Sequence, residues 1–286
     1  MFNEIRINRF HASMLGAVLA GLMLCSQPHA KDDPDKEEEA RQEQRLKKMS
    51  RFAEKYTIFS AEDRKKQFKF HENALFRFNN PVTGSGTKDG ALYMWSEHGR
   101  PQAILKFYTF NNESYAQIFL SLSERTLVAE REGNVTWNPT EPGITFRELS
   151  DAPKPADSAL ARLRQMKTFA DRFSAAIDKF PGDAKPVELQ LLSKPLFRYE
   201  TGNEKDFLDG AVFSFAMGTA PQVLLLLEAR PMGDSCKWYY ACARLSYWPM
   251  SAKYREKEVS VFENLEYIVD PKRTVQWLPA QRIAKD

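Results

Sequence analysis

The sequence predicts an α+β fold, a tandem duplication of a helix plus antiparallel meander-sheet module that makes two pseudo-equivalent halves. Three observations carry that expectation. DGALYMWSEHGRPQAIL from Asp89 returns as DGAVFSFAMGTAPQVLL from Asp209, with six of seventeen positions identical at a shift of 120. The flanks return in the same order: MSRFAEKY at Met49 meets MKTFADRF at Met166, LFRF at Leu75 meets LFRY at Leu196, and REGNVTW at Arg131 meets REKEVSV at Arg255. Within each copy the apolar period changes from helical to alternating, the change that separates a helix from the strands that follow it.

Taken from the N-terminus, residues 1–30 place Arg6 and Arg9 before an apolar run from Met14 to Cys25, then SQPHA ending at Ala30. That run is too short to cross roughly 30 Å of hydrocarbon, so the segment reads as a signal peptide. Pro28 leaves the bond that is cut open, and Leu24 stands against a lipid anchor at Cys25, where a small residue is expected. No later stretch is apolar and long enough to span a membrane as a helix. The expected localisation is exported, periplasmic or extracellular.

Residues 31–44, with KDDPDKEEEA, read as a charged flexible N-terminus. Repeat 1 covers residues 45–150 and repeat 2 covers 158–271, with SDAPKPAD as the linker and 272–286 as a C-terminal tail. Each repeat opens with a helix, marked by Leu46, Met49, Ala53 and Tyr56 in the first and by Leu163, Met166, Ala170, Phe173 and Ile177 in the second. Asp157 and Ser158 supply caps for the second helix. Strands follow at Phe68/Phe70 and Leu189/Leu191, LFRF and LFRY, ALYMW and AVFSF, QAILKFY and QVLLLLE, then YAQIFLSL and WYYACARL. The unbroken Leu224–Leu227 run marks a central strand covered on both faces.

Composition is ordinary for a globular protein, with 43% hydrophobic and 28% charged residues. The net charge is +3, or +2 without residues 1–30, and no basic face is concentrated enough to imply a nucleic-acid partner. Cys236 and Cys242 share one strand-like segment, about 20 Å apart if extended against a limit of about 7 Å for a disulfide. They read as free thiols, one in a loop and one in the core.

Few residues carry a chemical signal. Arg77/Arg198 and Asp89/Asp209 recur in both repeats and read as strand-stitching ion pairs, with Asp-Gly as turn chemistry. His98 sits in a turn and His71 at a strand end, and neither has the neighbours of a metal site. The chain lacks a P-loop, a dinucleotide fingerprint, G-x-S-x-G and H-E-x-x-H, so no cofactor or metal is expected. NES at Asn112 and NVT at Asn134 match glycosylation sequons. The asymmetric candidate is the hairpin around PMGDSCK. If Arg230 faces Trp238, then Glu228 faces Tyr240 and Leu224 faces Arg244, where the first repeat sets Tyr108 opposite Gln117. Glu228, Tyr240 and Arg244 are therefore the catalytic candidates, as acid–base apparatus weighed against an ordinary cross-strand polar pair.

The signal segment, the MxxFAxxF helix, LFRY, DGAxFxF and PQVLLLLEAR followed by WYYACARL resemble uncharacterised exported proteins found mainly in planctomycete bacteria. The resemblance implies localisation and assigns no activity. The sequence thus reads as an exported soluble protein, a non-enzymatic binding or structural module with a protein or envelope component as partner. The alternatives are a hydrolase-type enzyme with its site in the cleft between the halves, and a carrier of apolar ligands.

Overall fold

A computed structural model describes residues 34–80, 87–109, 114–200, 206–233 and 235–282. The expected signal peptide at 1–30, with Cys25, and the Asn112 sequon lie outside the described residues.

Helix α1 (Pro34–Glu54) opens on a proline, whose fixed φ suits a first helical position, and carries its acids early and its bases late, in accord with the helix dipole. Arg41 bonds Glu37 and Glu38 at 3.1 and 3.0 Å, one turn away. The segment 31–44, expected to be flexible, is thus helical from Pro34 onward. Eight strands follow: β1 (Tyr56–Ser60), β2 (Lys69–Asn80), β3 (Thr87–Glu97), β4 (Arg100–Thr109), β5 (Ser114–Ser121), β6 (Leu127–Arg131), β7 (Asn134–Trp137) and β8 (Arg147–Glu148). Helix α2 (Ala159–Ala170) begins at Ser158, whose hydroxyl accepts the Ala161 amide. The remaining strands are β9 (Phe173–Ile177), β10 (Val187–Leu191), β11 (Phe197–Glu200), β12 (Asp209–Met217), β13 (Ala220–Met232), β14 (Ser235–Arg244), β15 (Met250–Tyr254), β16 (Lys257–Phe262) and β17 (Val275–Arg282).

Strands hold 52% of the described residues and the two helices 14%, so the protein is mostly antiparallel β. This corrects the expected fold class, a balanced α+β duplicated module. Part of the error lies in the periodicity. Phe173 and Ile177 continue the helical spacing of α2 yet belong to β9, because a step of four residues satisfies the period of a strand as well as that of a helix.

Three sheets form. The five-stranded sheet runs β17-β5-β4-β3-β2, a larger one runs β16-β15-β9-β10-β12-β13-β14-β8 with β11 also on β12, and a small one runs β1-β6-β7. The expected C-terminal tail, 272–286, contains β17, which pairs with β5 through Val275↔Leu120. Likewise β8, from the first expected repeat, pairs with β14. Strands therefore cross the expected domain line in both directions.

Alternation along the central strands builds the core in layers. Ala91, Tyr93 and Trp95 of β3 face α1, with Met49 and Ala53, while Leu92 and Met94 face the other large sheet. In β13, Val223, Leu225 and Leu227 face α2, with Met166 and Phe169, while Leu224 and Leu226 face the first sheet. Burial on both faces explains the unbroken leucine run, each side chain contributing about 1.5–3 kcal/mol.

The Asp-Gly pairs are not turns. Gly90 lies inside β3 opposite Phe78, and Gly210 inside β12 opposite Tyr199. Each aromatic ring lies across its glycine, where a Cβ would overlap it. The preceding aspartates anchor the helices. Asp89 receives Arg77 through bonds of 3.0 and 2.7 Å and also Arg45 of α1 at 3.0 Å. Asp209 receives Arg198 at 3.2 and 2.8 Å and Arg162 of α2 at 2.8 Å. The strand pairing of the Arg and Asp was legible, whereas the helical arginines were not singled out.

Candidate functional site

The register of the β13–β14 hairpin decides where the expected catalytic residues go. Arg230 pairs with Lys237, Glu228 with Tyr239 and Val223 with Arg244, one residue from the expected pairing. In the first sheet Phe107, not Tyr108, lies opposite Gln117. Because side chains alternate, a one-residue slip moves a side chain to the opposite face. Tyr240 consequently points away from Glu228, toward Phe173, with ring centroids 5.3 Å apart. Arg244 binds three backbone carbonyls, those of Ser246, Glu263 and Trp248, at 2.8, 2.6 and 3.0 Å. The three candidates do not form one site.

Glu228 instead continues the inter-sheet face of Leu224 and Leu226. Its Oε1 accepts from the Tyr199 hydroxyl at 2.7 Å and from Arg100 Nε at 2.8 Å, and its Oε2 accepts from Arg230 Nε at 2.8 Å. Glu124 closes the ring, accepting from Arg100 at 2.8 Å and from Arg230 at 2.9 and 3.2 Å. Both guanidinium groups lie over the Phe146 ring, at 5.0 and 3.8 Å. Burial opposes charge on Glu124, but its Arg230 and Arg100 partners outweigh burial and hold the carboxyl below its ordinary range. Burial, with the Glu228 charge beside it, pushes the Tyr199 phenol well up, so it stays a donor. Beside this network lies a cleft of about 320 Å³, lined in part by Arg100, Glu124, Arg125 and Glu97. Arg125 and Glu97 are ion-paired there as well. Two carboxylates and two guanidiniums satisfy one another, and both Glu228 oxygens are occupied. The arrangement locks the sheets together and offers Glu228 no open position for proton transfer.

A second cavity, about 140 Å³, lies at the other end of the inter-sheet layer. Lys106 of β4 projects there between Ile104 and Tyr108, and it is 5% exposed. Its Nζ donates to the carbonyls of Pro221 at 2.7 Å and Leu245 at 3.2 Å, both on the opposite sheet or its edge. The ammonium stands 5.3 Å from the Phe78 ring centroid. Among the described residues no carboxylate pairs with it, and burial lowers its pKa to about 7. Tyr247 and Tyr267 stack at 4.7 Å along the wall, and among the described residues the buried Tyr247 hydroxyl has no hydrogen-bond partner. Tyr267 is 52% exposed, so the cavity reaches the surface. Sequence reasoning missed Lys106, although the shift of 120 that aligns Asp89 with Asp209 sets it opposite Leu226, a charge against an apolar core residue.

His98, at φ 50°, and Gly99, at φ 89°, form the turn between β3 and β4. His71 meets the Ser96 hydroxyl at 2.8 Å. Cys236 and Cys242 are both free, and Cys236 lies within β14 rather than in a loop. Burial raises the Cys242 thiol to about 11. Among the described residues no three His, Cys, Asp or Glu side chains converge on a metal-sized site, and no helix is long and apolar enough to cross a membrane. Comparison with protein-family models, curated proteins and solved structures gave no match, so the functional reading rests on the geometry above.

Proposed function

We propose that the protein is an exported, non-enzymatic binding protein that holds a small ligand in the Lys106 cavity. The ligand has an aromatic or apolar body and one hydrogen-bond-accepting end. The observation that carries this reading is a buried amine that, among the described residues, has no carboxylate partner, set among aromatic walls beside a Tyr247 phenol that has no partner among them either. Such a site favours an acceptor that engages Lys106 or Tyr247, and it solvates the rest of the ligand with rings. The volume is below the usual range of about 300–1,000 Å³ for drug-sized ligands, which limits the body to about one substituted ring. The self-neutralised network around Glu228 supports the non-enzymatic part of the reading. Residues 1–30 support export.

Benzoate and phenylacetate are suitable probes. A saturating ligand raises stability by about 2.7 kcal/mol at a hundred times its Kd, which thermal unfolding detects readily. The expected result is a higher Tm with either probe, and no rise in Lys106→Met. An unchanged wild-type Tm at millimolar probe would remove this cavity as the binding site.

A further inference from the structure

We infer that Lys106 is a carbonyl-capturing residue, whose Nζ forms an imine with a small aromatic aldehyde seated in the cavity between the two large sheets. The inference rests on the binding reading above and deepens it by naming the ligand's reactive group.

The geometry suits a neutral amine. A primary amine has two N–H donors, and two carbonyls, those of Pro221 and Leu245, accept from Nζ. Its lone pair is then the one valence left for a third partner. The titratable side chains that line the cavity with Lys106 are the phenols of Tyr108, Tyr247 and Tyr267, and burial raises all three, so no anion there favours the ammonium. A desolvated lysine in apolar surroundings is an activated nucleophile toward carbonyl groups. At pH 7 about half of a lysine with pKa near 7 is neutral, against fewer than about one in a thousand for an ordinary surface lysine. The Tyr247 hydroxyl, protonated and without a partner among the described residues, is the donor available to the carbonyl oxygen as charge develops on it.

The step balances without an outside reagent. The nitrogen lone pair forms the C–N bond while the carbonyl π pair moves to oxygen, and one N–H proton passes to that oxygen to give a carbinolamine. Loss of the hydroxyl with the second nitrogen-bound proton releases one water and leaves the neutral imine. Nothing is oxidised or reduced.

The test uses the full chain with benzaldehyde and cyanoborohydride at pH 7, followed by peptide mapping. Cyanoborohydride delivers hydride to the imine carbon and fixes the adduct as a benzyl-lysine. The expected result is benzylation of Lys106 at least tenfold faster than of any other lysine, a preference suppressed by benzoate and lost when the chain is unfolded in urea before labelling. Tyr247→Phe, which keeps the ring and the cavity, should slow the capture while leaving the fold intact by circular dichroism. Labelling of Lys106 no faster than of surface lysines, while benzoate still raises the Tm, would overturn the imine and leave the binding site standing. Loss of both the benzoate effect and the labelling would overturn both.

Discussion

Arg100 Nε donates to Glu228 Oε1 at 2.8 Å, and this one bond joins the start of β4 in the five-stranded sheet to the middle of β13 in the larger sheet. Glu228 is buried and Arg100 nearly so, with side chains 1% and 14% exposed. Removing one partner of such a pair leaves an uncompensated buried charge, which costs about 3–5 kcal/mol. Arg100→Ala should lower the urea unfolding free energy by about 3 kcal/mol, because Tyr199 and Arg230 still serve Glu228. Glu228→Gln should cost a comparable amount, and the double variant should cost much less than the sum, as expected for directly coupled residues. Full additivity in equilibrium unfolding would show that the two residues act independently.

The aspartates at the starts of β3 and β12 each hold two arginines of unequal burial. Arg45 and Arg162, from the helices, are 4% and 8% exposed, against 34% and 24% for Arg77 and Arg198. Breaking an exposed pair costs at most about 1 kcal/mol, whereas removing one partner of a buried pair strands the other charge and costs about 3–5 kcal/mol. Arg45→Ala and Arg162→Ala should therefore each cost about 3 kcal/mol, and Arg77→Ala and Arg198→Ala about 1–2 kcal/mol. Equal losses for the strand and helix arginines in denaturant titrations would contradict this order.

Gly90 and Gly210 are required by the rings that lie across them and not by backbone conformation. Alanine at either position drives a methyl group into Phe78 or Tyr199, and at Gly90 it also comes within 2.8 Å of the Phe107 carbonyl oxygen, so rescue there is only partial. Overpacking of this kind costs about 1–3 kcal/mol. Gly90→Ala should destabilise by that amount and should be partly rescued by Phe78→Leu, which withdraws the ring. Failure of the rescue in a melting experiment would place the requirement in the backbone.

Lys106 makes a specific demand on pH. Its folded pKa, about 7, lies below the unfolded value of about 10.4, so between them the unfolded chain binds more protons. Stability from this group therefore rises with pH across that window, by about 1.5 kcal/mol from pH 7 to 8.5. The interval avoids His71, whose lowered pKa acts below it. The opposing loss from Cys236 and Cys242, whose raised thiol pKa values reduce stability as the unfolded thiols ionise at about pH 8.5, falls on the wild type and on Lys106→Met alike. Urea unfolding at pH 7.0, 7.7 and 8.5 should show the wild type gaining stability relative to Lys106→Met by about 1.5 kcal/mol. The same slope in both would assign the titration elsewhere.

The proposed export makes a prediction about the chain end. The mature protein should begin at or near Lys31 and be recovered outside the cytoplasm, as read by intact mass. A cytosolic protein retaining residues 1–30 would refute it.

The sequence by itself determined which segments are strands at the centre of the molecule, that Leu224–Leu227 is covered on both faces, and that each Arg-Asp pair stitches neighbouring strands. Periodicity and local chemistry carry those properties, because they depend on alternation and on residue type. The shift of 117 that aligns Met49 with Met166 also aligns Arg45 with Arg162, so the helical anchors were within reach of the same comparison. Tertiary structure alone decided the rest. Phe173 and Ile177 belong to β9 and not to α2, because a spacing of four suits either element. The fate of Glu228, Tyr240 and Arg244 turned on one residue of hairpin register, which bulges and turn geometry set and composition does not report. Lys106 reads locally as an ordinary charge in a strand. Its chemistry arises because β17 and β5 extend one sheet while β13 and β14 bring the Pro221 and Leu245 carbonyls across from another, taking the amine out of water by contacts more than a hundred residues distant in sequence.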